Sequence, residues 1–131
     1  EPKKNITKDT AIYLVNTYGK TKTFYANCKN VFLGGSIINH GGQNPLEATR
    51  FGCNILHGKN VSNFQEIYKF LSDNNISQSV NSISDFIKKL DKLFSMKKIT
   101  TNTIKNKIDL IGSKVLSSTY KEINLFLKND F

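Results

Sequence analysis

Apolar positions along this chain fall into two patterns. Short unbroken runs at residues 11–15 (AIYLV) and 31–33 (VFL), with Ile55 and Leu56 inside residues 54–57, are too short for helices. They predict strands buried on both faces, which read as runs rather than alternations. Residues 76–80 make a fourth, more polar candidate strand. Between and after these runs the spacing becomes helical. Phe24 and Tyr25 are the inward positions of a short helix over residues 20–27. Phe64, Ile67, Tyr68 and Leu71 form one face of a helix over residues 63–73. Ser84 predicts the N-cap of a helix to residue 94, with Phe86, Ile87, Leu90, Leu93 and Phe94 as its stripe. A last long helix over residues 101–128 carries Ile104, Ile108, Ile111, Val115 and Leu116. Strands alternating with helices predict an α/β fold with a parallel sheet flanked by helices.

The turns are also legible. Asn16, Thr17, Tyr18 and Gly19 read as a turn after the first run. Gly34 and Gly35 end the second run, and a polar glycine-rich stretch, Ser36 to Gln43 with Gly41 and Gly42 inside it, follows. A helix over residues 45–51 then has Asn44 as N-cap, Pro45 at its first position, Leu46 next and Glu47 third, with Gly52 past its end. That is a capping box with Asn in the Ser/Thr place. In a parallel α/β sheet such a strand-to-helix crossover lies at the carboxyl edge, where ligands bind. Free N–H groups and the helix dipole at this turn suit a phosphate. Glu47 suits a ribose diol, since a carboxylate accepts two hydrogen bonds. On physical grounds alone, Asn44 and Glu47 serve equally well as simple helix caps.

Composition narrows the classes. The chain has 131 residues, 38% hydrophobic and 11% aromatic, enough for one domain with a modest core. No apolar run approaches the ~18 residues of a membrane span, and the charged start, Glu1 to Lys4, is no signal peptide. Cys28 and Cys53 match no zinc spacing and are expected to be buried or half-buried free thiols. His40 and His57 do not suggest a metal site. The net charge of +9 rests on lysine, with Arg50 the only arginine. It is open to two readings: a surface for an anionic partner, or the Lys, Asn and Ile bias of an AT-rich genome. Neither the dinucleotide G-x-G-x-x-G nor the G-x-x-x-x-G-K-[ST] phosphate loop is present.

The order of the segments adds more. N-T-Y-G-K at residues 16–20, F-Y-A-N-C-K-N-V-F-L-G-G-S at 24–36, G-G-Q-N-P-L-E-A at 41–48 and Asn63-Phe64 together resemble bacterial 3-deoxy-D-manno-octulosonic acid (Kdo) transferases. That family shows D-T-x-G-E, Y-x-x-A-D, F-V-G-G-S, G-G-[HQ]-N-P-L-E and G-P-H-x-x-N-F in the same order. The resemblance implies the C-terminal donor domain of a two-domain, GT-B type glycosyltransferase, with a partial Rossmann-like sheet. It implies CMP-Kdo as donor, a lipid A precursor as acceptor, no cofactor, and a place at the cytoplasmic face of the bacterial inner membrane. It assigns the cytidine nucleotide to Tyr18, Gly19 and Lys20 and to Asn44, Pro45, Leu46 and Glu47. Loop contacts fall to Gly34, Gly35, Ser36, Gly41, Gly42 and Gln43. The catalytic base of the family is a glutamate of the N-terminal domain, so the expectation is a fragment without its own base. Asn16, Lys20 and Lys59-Asn60 depart from the family pattern. A donor domain for UDP- or GDP-sugars is the nearest alternative. A non-catalytic basic module for RNA or anionic membrane is another, though sparse arginine and no stacking array argue against nucleic acid. A truncated sheet is also expected to expose a strand edge and favour self-association.

Overall fold

A computed structural model of the protein describes residues 6–95 and 101–129; the charged start at Glu1 to Lys4 lies outside them. The element order is α1 (Thr21–Asn27), β1 (Asn30–Leu33), α2 (Leu46–Arg50), β2 (Asn54–His57), a 3-10 turn (Ser62–Phe64), α3 (Gln65–Asp73), β3 (Ser77–Ser79), α4 (Ile83–Ser95) and α5 (Thr101–Asn129). The three strands pair in parallel in the order β1-β2-β3. Val31 lies opposite Ile55, and Ile55 opposite Ser77. This is the α/β architecture that the apolar runs predict, a partial Rossmann-like sheet flanked by helices. At the strands' entry the Asn54 amide donates to the Asn30 side-chain oxygen at 2.9 Å.

Alternation along the strands sorts side chains onto two faces. One face carries the core, where Leu33, Ile55 and Cys53 pack with Ala48, Tyr68, Leu71, Ile76 and Ile108. Truncating a fully buried member such as Ile55 to alanine costs about 2–5 kcal/mol. On the other face Phe32 meets Phe86 of α4 edge-on, with ring centroids 5.5 Å apart. Lys89 anchors α4 to the sheet by donating to the Ser79 carbonyl at 2.6 Å and to Asp85 at 2.8 Å. That ion pair and the Asn81 N–H hold the Asp85 carboxyl below its ordinary range.

Several sequence expectations change. Residues 11–15 form no strand, and Ile12 and Leu14 are 88% and 85% exposed. A strand buried on both faces needs a neighbour to pair with and layers to cover it. Here the run stands apart from the sheet, and β1 keeps its outer edge free among the described residues. The cap of α4 is Ser82, not Ser84: its hydroxyl accepts the Asp85 N–H at 3.1 Å, and Asp85 in turn accepts the Asn81 N–H at 3.0 Å. Asp85 thus closes the turn at the helix start by holding the N–H of Asn81, the residue before the cap. Ile87 and Phe94 are exposed, so the α4 stripe is narrower than its spacing suggests. In α5, Ile108 is buried while Val115 and Leu116 are exposed; the side chain of Ile104 lies outside the described residues.

The two cysteines part company. Cys28 is exposed, against expectation, because it follows the last turn of α1 and points away from the core. Cys53 is fully buried and its thiol donates to the carbonyls of Cys28 at 3.1 Å and Tyr25 at 3.4 Å. Burial, with a smaller effect of Cys28, pushes the Cys53 thiol up to about 11. Alkylation follows the thiolate and its access. A maleimide at neutral pH should therefore label one thiol per folded chain, at Cys28, with Cys53 reacting only in denaturant; mass spectrometry of the labelled peptides reads this out.

His57 also sits in the core, its ring centroid 4.3 Å from that of Tyr68. Burial holds its imidazole below the ordinary value of 6.5; Lys89 reinforces this, and the Gly58 carbonyl bonded to Nδ1 opposes it. The unfolded chain thus binds a proton in a range where the folded chain does not, and stability falls as pH drops below 6.5. The urea midpoint should decrease between about pH 7.5 and pH 5, and His57→Phe should flatten that dependence.

Candidate functional site

The carboxyl ends of β1 and β2 converge on the glycine-rich stretch. Ser36 is fully buried, and its hydroxyl donates to the Leu33 carbonyl at 2.7 Å while accepting the Gly58 N–H at 2.8 Å. The backbones are correspondingly close: a Cβ on Gly58 would lie 2.2 Å from the Ser36 carbonyl oxygen. The Asn60 N–H donates to the same carbonyl, and the Asn60 amide to that of Ile37. Ser36 therefore acts on the strand ends, with its side chain enclosed rather than facing a ligand.

The loop then folds back on itself. Gly42 N–H donates to the Gly35 carbonyl at 3.1 Å, and Asn63 N–H to that of Gly41 at 3.2 Å. Gly35, Gly41 and Gly42 all have positive φ, and the Asn63 side chain fills the space where a Gly41 Cβ would stand. The Tyr68 hydroxyl donates to the Gln43 carbonyl at 2.8 Å, and burial pushes that phenol up to about 12. Gly34 and Gln43 are exposed on the outer side of the loop.

At the end of the loop the Asn44 side-chain oxygen accepts the Leu46 N–H at 3.0 Å, so Asn44 caps α2. Pro45 is buried and already has helical dihedrals. Glu47 makes no reciprocal bond to Asn44. It is exposed and lies 4.0 Å from Lys22 of α1. That surface contact links the first turn of α1 to the start of α2. Tyr18 is fully exposed, and Gly19, with φ of +81°, forms the bend that leads through Lys20 into α1. The α2 helix spans five residues, so its dipole is small and positive potential must come from Lys20, Lys22 and loop N–H groups.

A cavity of about 540 Å³ opens on the other side of the same loop, lined mainly by Phe32, Ile37, Val80, Ile83 and Phe86 with Lys59 among its walls. Asn44 and Glu47 do not line it. Sequence reasoning gave Asn60, Asn63 and His57 no part in shaping the loop or the core. The first two lie within the stretch that carries the Asn63-Phe64 resemblance, a signal that they buttress the loop. Nothing local marks His57. Among the described residues, no group of three or more His, Cys, Asp and Glu side chains could hold a metal ion.

The chain is also similar to known proteins. No protein-family profile matches the chain. It is 33% identical over 82 residues to a 3-deoxy-D-manno-octulosonic acid transferase of Haemophilus influenzae, a match covering 63% of this chain and 19% of that protein. It is 30% identical over 87 residues to the enzyme of that name from Aquifex aeolicus, covering 66% and 25%. A bifunctional glycosyltransferase/methyltransferase of Fusobacterium nucleatum matches at 28% over 82 residues, covering 63% and 13%. The matches thus span a quarter or less of these relatives' length. Over about two-thirds of its length the chain is similar to Kdo transferases.

Proposed function

We propose that this chain is the nucleotide-sugar-binding part of a glycosyltransferase that uses CMP-Kdo and transfers Kdo to a lipid A precursor. The observation that supports it most is the crossover from β1 to α2. A glycine loop at the carboxyl edge of a parallel sheet leads into an Asn-capped turn with an exposed carboxylate and Lys22 4.0 Å from it. In this reading Glu47 turns from Lys22 to the ribose hydroxyls of the cytidine. Tyr18, Gly19 and Lys20 close over the nucleotide from the other side. Lys20 and Lys22 offset the phosphate charge, and the exposed Gly34 and Gln43 offer backbone groups at close approach, while buried Gly41 and Gly42 shape the loop. The reaction would be inverting: a base from outside this chain activates the acceptor hydroxyl, and this part of the enzyme stabilises the departing CMP. No helix among the described residues is long and apolar enough to cross a membrane. Peripheral placement at the cytoplasmic face of the inner membrane belongs to the same proposal, with exposed lysines of α4 and α5 such as Lys88, Lys92, Lys105 and Lys107 facing anionic lipid. Lys89 drops out of that surface because Asp85 and the Ser79 carbonyl occupy it.

Ligand-observed NMR should detect CMP binding to the folded chain in preference to UMP and GMP. Glu47→Ala should weaken it about tenfold, the loss of a charge-assisted hydrogen bond pair. Asn44→Ala should in addition cost about 1 kcal/mol of stability through the cap. Unchanged CMP affinity in folded Glu47→Ala protein would leave Glu47 as a partner of Lys22 only. The second expected outcome is that the 131-residue chain alone transfers no Kdo from CMP-Kdo generated in situ to lipid A precursor. Alignment of acceptor, base and donor can be worth about 7–11 kcal/mol, and one wall of a cleft does not supply it. Product formation by the purified chain would place a base within this sequence.

A further inference from the structure

The cavity beyond the glycine loop differs in chemistry from the segments assigned to the nucleotide. Its volume of about 540 Å³ lies within the roughly 300–1,000 Å³ of small-molecule sites. Phe32, Val80 and Phe86 are half-buried in its wall, and the more exposed Ile37 and Ile83 complete its apolar lining. The backbone along it has polar groups, but their bonds are already made. Gly58 N–H donates to the Ser36 hydroxyl at 2.8 Å, and His57 Nδ1 donates to the Gly58 carbonyl at 2.7 Å. Val80 N–H donates to the His57 carbonyl, and Asn81 N–H to Asp85. Ser82 accepts the Asp85 N–H on its hydroxyl and the Phe86 N–H on its carbonyl. No acidic side chain lines the cavity, and Lys59 is the charged residue in its wall. Among the described residues Lys59 joins no ion pair.

These facts select the occupant. A sugar or a nucleobase carries several donors and acceptors, and seating it here would leave them unpaired against apolar walls. Phe32 and Phe86 stand at 90° to each other, so they offer no parallel pair of faces to sandwich a planar ring. A flexible hydrocarbon chain has no polar atoms to satisfy and conforms to a wall of branched side chains and ring edges. Lys59 adds charge complementarity for an anion at one end of that chain. A bilayer surface fits less well, because a recess of this volume holds a single chain rather than a lipid face.

We propose that this cavity binds the acyl chain of a single-chain anionic amphiphile, with Lys59 pairing with its carboxylate or phosphate head. The chain lies among Phe32, Ile37, Val80, Ile83 and Phe86. Asn44 and Glu47 are not part of the cavity, so the inference stands apart from the nucleotide reading and fails or holds independently of it.

Titration calorimetry of the full 131-residue chain with decanoate below its micellar concentration tests this. The expected result is one site with a dissociation constant at or below about 1 mM, undisturbed by saturating CMP. Octanoate, two methylenes shorter, should bind about tenfold more weakly. Decanoate should bind at least about tenfold more tightly than decyltrimethylammonium, and Lys59→Met should remove that preference. Lys8→Met, at an exposed position away from the cavity wall, makes the same change in net charge and should keep it. Ile83→Asp should weaken decanoate at least about tenfold; Ile83 is 80% exposed and at the first position of α4, where an acid is tolerated. Continued protection of Cys53 from alkylation shows that each variant is folded. Absence of saturable binding up to about 5 mM decanoate would overturn the proposal. Equal affinity in folded Ile83→Asp protein would also do so, moving the chain to another apolar surface. So would a Lys59→Met variant that keeps the anion preference, or a wild-type chain that binds phosphatidylglycerol vesicles but not monomeric decanoate.

Discussion

One serine hydroxyl holds the working end of this domain together. Ser36 joins the last carbonyl of β1 to the first N–H beyond β2, and it can do so only because Gly58 has no side chain to separate the backbones. Both groups are buried, so removing the hydroxyl would leave the Gly58 N–H unsatisfied at a cost of about 1–3 kcal/mol. With the strand ends clasped, the segment after β2 lies against the glycine loop. Asn60 and Asn63 then bind loop carbonyls, and Tyr68 reaches the loop's far end at Gln43. The loop is shaped by the core beneath it.

This places a rigid scaffold under exposed chemistry. The buried members of the stretch, Ser36, Gly41, Gly42 and Pro45, are committed to structure. The exposed ones, Gly34, Gln43, Asn44 and Glu47, together with Tyr18 to Lys20, face outward. Asn44 serves the helix through its bond to Leu46 and still presents its amide outward. Glu47 is held by nothing stronger than a 4.0 Å contact with Lys22, a surface pair worth less than about 1 kcal/mol. A ligand hydroxyl can take that carboxylate at little cost to the fold.

Elsewhere the chain shows apolar surface that its own fold does not cover: residues 11–15, the outer edge of β1 and the outer half of α5. The run AIYLV lacks a sheet neighbour among the described residues, whereas the exposed α5 side chains lie on a regular helix.

Read alone, the sequence determined the strands β1 and β2, the helices α1, α3 and α5, the capped turn at Asn44 and the parallel α/β class. Each of these follows from local spacing: unbroken short runs, 3-4 periodicity, and glycine or asparagine at points that need positive φ or a cap. The order of the loop motifs also carried the resemblance to Kdo transferases. Tertiary structure decided the rest, because the deciding partner lies far along the chain. The run at residues 11–15 has the composition of a buried strand, yet pairing depends on a neighbour that local sequence does not reveal. Ser36 reads as one more polar loop residue until Gly58, twenty-two positions away, is brought to its hydroxyl. Ser82 rather than Ser84 caps α4 because Asp85 is placed to close the box. Cys28 and Cys53 have similar apolar neighbours, and only the way the end of α1 lies over the Cys53 thiol leaves one in water and the other in the core.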